Sequence, residues 1–457
     1  MLKKRHKKGR LPVAIVIPLI AVLIFLLNTG SYRTDDPPVP VTKPVAGKPE
    51  YVRGVHLTAW VAGSSKMRSR LEPLLSRDKL NTIVIVVKEV GGEIYLPGVR
   101  VAQDYGIKTI YPIPKLEKYL VDLKSRGVYP VARLTVFKDC SLVNAKPQLA
   151  VKNPDGSIWK DYKGKSWSDP YNKEVWKYNV EIAKHAVELG FEEIQYDYIR
   201  FPSDGDTWQC RYSAVHNSTA ASQVLVGFLE YSKKELSVPV SIDVFGLTPS
   251  VNHDMGIGQN FMAMAEVVDY ISPMMYPSHY RKGEYNIPDP NKEPYRTVYR
   301  CVSDANLLLK DKFYKLRPYL QDFSLGHKYG PEEVKAQILA CYDNGIFDWL
   351  LWDPRCLYTL EAINEMVKWT PQNYKPSALH QLLQSDKIRG TTTQTLQPGA
   401  TTQTLQPGTT TQTLQPGATT QTLQPGATSP PDSQPAPDGS GAGTASPTPD
   451  SPRDNTR

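Results

Sequence analysis

The chain has few of the patterns that mark metal, redox or nucleotide sites. Its 457 residues include five cysteines, and no two of them form a Cys-x-x-Cys pair, the usual spacing of zinc and thioredoxin-like sites. No phosphate-binding glycine loop, metal-ligand cluster or Ser/His/Asp order stands out, so we expect no metal and no cofactor. In an exported protein the cysteines could form one or two disulfides, or they could be buried as small hydrophobic residues.

Positive charge is scarce outside one short segment. The formal net charge is +8. Six positive charges lie within the first ten residues: Lys3, Lys4, Arg5, Lys7, Lys8 and Arg10. The rest of the chain carries a net charge of only +2 and therefore lacks the basic surface that a nucleic acid needs. We expect no nucleic acid partner.

An apolar stretch from Leu11 to Leu27 follows the basic run and determines the expected compartment. Its length is at the lower limit for a membrane span, about 17 residues, and the basic flank should stay in the cytoplasm. No Ala-x-Ala site follows it, which favours an uncleaved signal-anchor over a cleaved signal peptide. Residues 1–30 are thus predicted to consist of a cytoplasmic basic flank and a signal-anchor that forms one transmembrane helix. The domain that follows should lie outside the cytoplasm, either at the cell membrane or secreted if the segment is cleaved.

Low-complexity sequence lies on both sides of the middle region. Residues 31–50 are rich in proline and are interpreted as a semi-extended linker. A second linker, 371–390, precedes a tail over 391–457, in which Thr-Thr-Gln-Thr-Leu-Gln-Pro-Gly-Ala recurs with a period of nine. One leucine in nine residues cannot offset the entropy of ordering, so we predict a disordered tail. A short β-solenoid is the alternative.

The middle region, residues 51–370, has the composition and length of one globular domain. Eight strand-like runs cross it, and several segments between them have helical periodicity, for example 173–189, 221–236, 294–310 and 331–344. Most runs are nearly continuous in apolar residues, as strands buried on both faces are. Eight strand–helix units predict a (β/α)8 (TIM) barrel of the α/β class. The predicted strands are 54–60, 82–90, 129–137, 193–202, 238–247, 268–277, 316–323 and 347–354.

Polar and aromatic side chains end these strands, where the chemistry of such barrels lies. Acids that transfer protons, combined with aromatic rings that stack on sugars, indicate a carbohydrate site. The residues are His56 and Trp60, Lys88 and Glu89, Arg133 and Lys138, Asp197 and Arg200, Asp243, Tyr276 and His279, Gln321 and Asp322, and Trp352 and Asp353.

Asp197 and Asp243 are the candidate catalytic residues. A charged aspartate inside a buried strand is costly unless it is paired or functional, and the structural alternative for Asp197 is an ion pair with Arg200. The alternative for Asp243 is a helix cap or a loop-bracing role. Adjacent strands lie ~4.8 Å apart, so the two carboxyl groups can face each other. That spacing favours a retaining glycosidase, in which the carboxyl groups are about 5–5.5 Å apart.

Eight further residues are predicted to bind substrate. Because strand side chains alternate in direction, only one of Lys88 and Glu89 can point into the barrel. The same choice applies to Gln321 and Asp322 and to Trp352 and Asp353. A structural role is the alternative for His56. The predicted set is Arg200, Tyr276, Trp352, His56, Trp60, Glu89, Gln321 and Asp353.

Five segments together resemble the putative glycosyl hydrolase barrel family of bacterial exported proteins, formerly a domain of unknown function. The resemblance covers about residues 51–370. It implies a (β/α)8 fold distantly related to α-amylase-like hydrolases, with Asp197 as nucleophile. Those enzymes carry a glutamate acid on strand five, where this chain has Asp243. The segments are Gly54-Val-His-Leu-Thr-Ala-Trp60, Glu193-Ile-Gln-Tyr-Asp-Tyr-Ile-Arg-Phe-Pro202, Ser241-Ile-Asp-Val-Phe-Gly246, Ser272-Pro-Met-Met-Tyr-Pro277 and Leu350-Leu-Trp-Asp-Pro354.

Two functions fit these observations. The first is a glycoside hydrolase that acts on an extracytoplasmic polysaccharide or cell-wall glycan, with Asp197 as nucleophile and Asp243 as acid/base. The second is a non-catalytic barrel that binds cell-surface polysaccharide.

Overall fold

The computed structural model describes residues 47–381. The predicted transmembrane segment, most of the first linker, the end of the second linker and the repeat tail lie outside these residues. Between residues 47 and 381, none of the helices combines the length and the hydropathy that a membrane span requires.

Eight parallel strands close into a barrel in chain order, with β8 hydrogen-bonded to β1. This confirms the predicted eight-stranded barrel, and each strand overlaps the run predicted for it. Several predicted runs continue past the strand into the loop that follows. The strands are β1 (Arg53–Leu57), β2 (Thr82–Lys88), β3 (Tyr129–Thr135), β4 (Glu193–Asp197), β5 (Val240–Phe245), β6 (Tyr270–Met275), β7 (Tyr319–Gln321) and β8 (Trp349–Trp352).

Helices follow the strands, and the four longest agree with the predicted helical segments to within three residues. Glycines in the left-handed region end two of these helices: Gly190 has a φ of +111° and Gly345 a φ of +77°, as expected of residues just past a helix end. The α-helices are α1 (Ala59–Gly63), α2 (Ser65–Arg68), α3 (Arg100–Asp104), α4 (Leu116–Ser125), α5 (Cys140–Ala145), α6 (Lys173–Glu188), α7 (Ser218–Glu235), α8 (Phe261–Val267), α9 (Pro294–Leu309), α10 (Pro331–Asp343) and α11 (Leu360–Met366).

The five cysteines are buried or half-buried, and no disulfide joins them. Cys301 illustrates the environment, because its thiol donates a hydrogen bond to the carbonyl of Gly246 at 2.9 Å. Burial raises the pKa of Cys301 to about 12. The cysteines therefore act as small buried side chains, which was one of the two alternatives left open by the sequence.

A buried ion pair closes the end of the barrel where the strands begin. Glu193, the first residue of β4, lies 2.7 Å from Arg317, and neither side chain is exposed. Ser241 and Tyr129 also donate hydrogen bonds to the Glu193 carboxylate, at 2.6 and 3.2 Å. The guanidinium of Arg317 lies 4.1 Å from the centre of the Tyr270 ring. These contacts satisfy two charges that would otherwise be costly inside the barrel.

We predict that the Arg317→Met substitution lowers the free energy of unfolding by about 3–5 kcal/mol, because it leaves the Glu193 carboxylate buried without its cation. Urea unfolding at neutral pH measures the change. Arg100 forms a control ion pair with Asp104, in which the two side chains are 85% and 52% exposed. Arg100→Met should change the free energy of unfolding by less than about 0.5 kcal/mol. Equal effects of the two substitutions would contradict the role assigned to Arg317.

Candidate active site

A cavity of about 770 Å³ opens at the ends of the strands where the loops begin. Its volume lies within the range of small-ligand sites. Seven of the ten predicted site residues line it: Asp197, Asp243, Arg200, Tyr276, Trp352, His56 and Glu89.

Asp197 and Asp243 lie side by side in this cavity. Tyr196 of β4 is in register with Ile242 of β5, so the two aspartates are the next residues on neighbouring strands. Arg133 of β3 contacts both carboxylates. Its Nη2 donates a hydrogen bond to Oδ2 of Asp197, and its Nε lies 3.5 Å from Oδ2 of Asp243. One guanidinium group thus joins the two candidate catalytic acids.

The two acids differ in their surroundings. Asp243 is only 2% exposed, and burial, together with the nearby charge of Asp197, raises its pKa well above the usual value, although Arg133 acts in the opposite direction. Its Oδ1 atom accepts no hydrogen bond from residues 47–381. Burial lowers the pKa of Arg133, but the charges of Asp197 and Asp243 outweigh it and raise that pKa overall. The surroundings of Asp243 therefore favour its protonated form, while Asp197 is the closer partner of Arg133.

The ion pair between Asp197 and Arg200, the structural alternative suggested by the sequence, is not formed. Arg200 instead packs over the rings of Trp167, Tyr198 and Phe245, at 4.8–5.0 Å from their centres. The chain turns sharply at Tyr198, which has a φ of +51°, an unfavourable value for a bulky residue. The Tyr198 backbone N–H donates to Oδ1 of Asp197 at 2.5 Å. This turn ends β4 and lets Arg200 reach the cavity.

Aromatic side chains form one wall of the cavity. Tyr276 and Trp352 are stacked, with ring centres 5.6 Å apart and planes inclined by 23°, and Phe323 packs edge-on against both. His56 lies beside Trp352, at 6.2 Å between ring centres. Such a wall offers a flat apolar surface of the kind that stacks on a sugar ring.

His56 carries unused hydrogen-bonding capacity. The residue is 4% exposed, and neither ring nitrogen has a hydrogen-bond partner within the described part of the chain. Burial and the charge of Arg133 lower the pKa of His56 well below its usual value, which keeps the imidazole neutral. A neutral imidazole offers one donor and one acceptor, which suits a sugar hydroxyl group.

The structure resolves the choice between Lys88 and Glu89. The Lys88 side chain points away from the barrel interior, where its ammonium group lies 2.6 Å from Asp139 and donates to Asn179 at 2.8 Å. Glu89 lines the cavity. Glu89 therefore adds a carboxylate to those of Asp197 and Asp243 in the cavity.

Three predicted substrate-binding residues lie outside the cavity lining. Trp60 belongs to α1, is 57% exposed and packs against Tyr95 at 6.4 Å between ring centres. Gln321 is buried beneath the loops, where it accepts a hydrogen bond from the Ser278 N–H at 3.1 Å.

Asp353 is the third of them. Its Oδ1 accepts hydrogen bonds from the backbone N–H groups of Arg355 and Leu357, at 2.7 and 3.1 Å. It therefore braces the loop after β8, while its neighbour Trp352 faces the cavity.

Several cavity residues were absent from the predicted set. Arg133 is the most important, because it connects the two acids. Tyr319 of β7 also lines the cavity, and its hydroxyl donates to Gln195 at 2.8 Å. The strand-end position of Arg133 was visible in the sequence, but its pairing with both acids was not. Among residues 47–381, no group of three or more His, Cys, Asp or Glu side chains is arranged to hold a metal ion.

The raised pKa of Asp243 predicts how the Asp243→Asn substitution affects stability. Above about pH 4, this carboxyl group loses its proton in the unfolded wild type but keeps it in the folded state, so the contribution of Asp243 to the free energy of unfolding falls as the pH rises. The asparagine side chain introduced by the substitution does not titrate. The stability of the variant relative to the wild type should therefore increase from pH 4 to pH 8 in urea unfolding.

Asp322→Asn provides a reference for that experiment. Burial raises the pKa of Asp322 to about 6. The stability of Asp322→Asn relative to the wild type should therefore increase with pH only up to about pH 7. A difference between Asp243→Asn and the wild type that stays constant with pH would contradict the protonated state assigned to Asp243.

A family model described as "Putative glycosyl hydrolase domain" matches residues 54–358, and no curated protein matches the chain. A hypothetical protein from Ruminiclostridium thermocellum ATCC 27405 is 33% identical over 42% of this chain and 97% of its own, with a TM-score of 0.38. The PgaB (BpsB) glycoside hydrolase domain from Bordetella bronchiseptica is 11% identical over 69% of this chain and 98% of its own, with a TM-score of 0.53, and is similar in fold. Because the family model covers more than half of the sequence, the chain belongs to the putative glycosyl hydrolase domain family.

Proposed function

We propose that the chain is a glycoside hydrolase that cleaves an extracytoplasmic polysaccharide through Asp197 and Asp243. The observation that carries the proposal is the pair of carboxyl groups on β4 and β5, which share the Arg133 guanidinium inside a sugar-sized cavity. Membership of a glycosyl hydrolase family supports the same chemistry.

The different surroundings of the two acids support the following roles. Asp243, which holds a proton, donates it to the glycosidic oxygen as the bond to the leaving sugar breaks. Asp197 attacks the anomeric carbon and forms a glycosyl ester. Asp243, now ionised, then takes a proton from a water molecule that attacks the same carbon, which releases the sugar and restores both residues.

The spacing of the strands favours this two-step, retaining route. Inverting enzymes hold their carboxyl groups about 6.5–9.5 Å apart to leave room for a water molecule, whereas retaining enzymes hold them about 5–5.5 Å apart. Here the acids occupy equivalent positions on neighbouring strands and contact the same guanidinium. That arrangement leaves little room for a water molecule between the acid and the sugar.

The cavity walls have complementary roles in substrate binding. The Tyr276–Trp352 pair would stack on a sugar ring, while His56, Glu89 and Arg200 would contact its polar groups. The extracytoplasmic location is proposed from the sequence alone, since the predicted signal-anchor in residues 1–30 lies outside the described residues. In this proposal the enzyme is attached to the cell membrane and acts on a polysaccharide or cell-wall glycan.

We predict that Asp197→Asn abolishes hydrolysis of any glycan that the wild type cleaves, with a loss of at least about 10³-fold in kcat, because the nucleophile is removed. Asp243→Asn should slow the hydrolysis of natural glycans, whereas aryl glycosides, whose leaving groups need no proton, should give a rapid first release of the aryl group followed by slow turnover, because Asp243 no longer takes a proton from the attacking water. A screen of wall and capsular polysaccharides, followed by kinetics with each variant, measures both effects.

Asp322→Asn is the matched control for this experiment. Asp322 is also a buried aspartate at a strand end, but it accepts hydrogen bonds from Thr359 at 2.6 and 2.8 Å and does not line the cavity. The control variant should keep its turnover. Unchanged hydrolysis by Asp197→Asn would refute the proposal. Binding without hydrolysis across the whole panel would favour the alternative, a non-catalytic polysaccharide-binding barrel.

A further inference from the structure

Arg200 is a buried cation without a carboxylate partner. The residue is 8% exposed and lines the cavity, yet no carboxylate oxygen between residues 47 and 381 lies within 4.0 Å of its guanidinium. The acids whose charges reach it are Asp197, Asp204 and Asp161; Asp197 and Asp161 are paired with Arg133 and Lys138, respectively, and Asp204 acts from beyond ion-pair distance. A buried charge of this kind is costly unless something else compensates it.

The protein compensates the charge only in part. Three aromatic rings surround the guanidinium, and such contacts stabilise a cation less than a carboxylate partner would. The Nη1 atom donates to the Phe201 carbonyl at 2.9 Å and to the Ser203 hydroxyl at 3.1 Å. The Nε and Nη2 atoms of Arg200 donate to no group in the described region, and neither is fully shielded from solvent. The rings thus hold the guanidinium in a fixed orientation, with free donors at the cavity wall.

From this geometry we propose that Arg200 binds an anionic substituent of the glycan, and that the substrate is an acidic polysaccharide. The inference rests on the proposed function, whose substrate class it specifies. A carboxylate, sulfate or phosphate group would each match a planar pair of N–H donors. Arg200 follows Asp197 by three residues and packs on Phe245, two residues after Asp243. The anionic group therefore belongs to the sugar at the cleavage point or next to it.

Recognition depends on this contact and not on a generally basic cavity. The cavity lining includes one exposed cation besides Arg133 and Arg200, namely Arg281, but it also includes Glu89 and Glu284, so long-range attraction of an acidic polymer is weak. A contact of this type should discriminate strongly between substrates that differ only in the anionic group, because an uncharged substituent leaves the guanidinium buried without compensation.

The test uses matched polymer pairs with the same backbone and linkages: uronic acid polymers and their carboxyl-reduced forms, sulfated polymers and their desulfated forms, and phosphorylated polymers and their dephosphorylated forms. Affinity electrophoresis measures binding, and reducing-end release measures hydrolysis. We expect the full-length wild type to favour the anionic member of at least one pair by about tenfold or more. The pair in which the anionic polymer is preferred identifies the chemical class of the anionic group.

Variants connect the preference to Arg200. In Arg200→Gln, the ratio of the affinity for the anionic polymer to the affinity for its uncharged counterpart should fall to near one, because only the binding of the anionic polymer is weakened. Arg200→Lys keeps the charge and should retain part of the preference. Arg211→Gln is the matched control, since Arg211 lies on the same loop but outside the cavity lining. Circular dichroism and thermal unfolding verify that each variant is folded, and Arg200→Lys keeps the test decisive if Arg200→Gln does not fold.

The outcomes separate this inference from the proposed function. Equal treatment of both members of every pair by the wild type, or an equal loss for both members in Arg200→Gln, would overturn the acidic-substrate inference while leaving hydrolysis intact. Binding that depends on Arg200 and on the anionic group, without hydrolysis of any polymer, would support the inference and refute the enzymatic proposal.

Discussion

The site depends on one interaction, the contact of the Arg133 guanidinium with Asp197 and Asp243. Two carboxylates on adjacent strands repel each other, and burial increases the cost of ionising both. A cation from β3 reduces that repulsion and fixes the direction of both side chains. Three consecutive strands thus each contribute one component, and the closed barrel holds these components at a fixed spacing.

The same interaction makes the two acids unequal. Arg133 donates directly to Asp197 but approaches Asp243 only at 3.5 Å, and Asp243 is deeply buried with one oxygen atom unbonded among the described residues. One acid therefore contacts a cation directly, while the surroundings of the other favour its protonated form. Acid–nucleophile catalysis needs two carboxyl groups whose surroundings give them different pKa values.

Much of the fold could be predicted from the sequence because its signals are local. Buried parallel strands produce apolar runs, and a glycine such as Gly345 marks a helix end through its backbone conformation. Strand ends were less predictable. The run 193–202 stays apolar beyond Asp197, although the strand stops where Tyr198 turns into the left-handed region. Similarly, Thr58 caps α1, which places Trp60 on a helix instead of a strand.

The candidate site was predictable to the extent that it depends on strand register. The pairing of Asp197 with Asp243 could be predicted, because the two residues lie in similar segments on neighbouring strands. The sequence did not predict that Glu89, and not Lys88, points into the barrel. That orientation depends on Asp139 and Asn179, which are distant in sequence and hold Lys88 on the outer side. The role of Arg133 depends on side-chain reach across two strands, and the loop-bracing role of Asp353 depends on backbone groups of the next loop. Sequence spacing contains neither kind of information.

The most direct test of the central claim is peptide mass spectrometry of the chain during turnover. The reagent is a 2-deoxy-2-fluoro glycoside of the sugar that the wild type releases, since it slows hydrolysis of a glycosyl ester. The account predicts a single glycosyl adduct on the peptide that contains Asp197, located at that residue. An adduct on Asp243 or Glu89, or turnover with inverted anomeric configuration and no adduct, would contradict it.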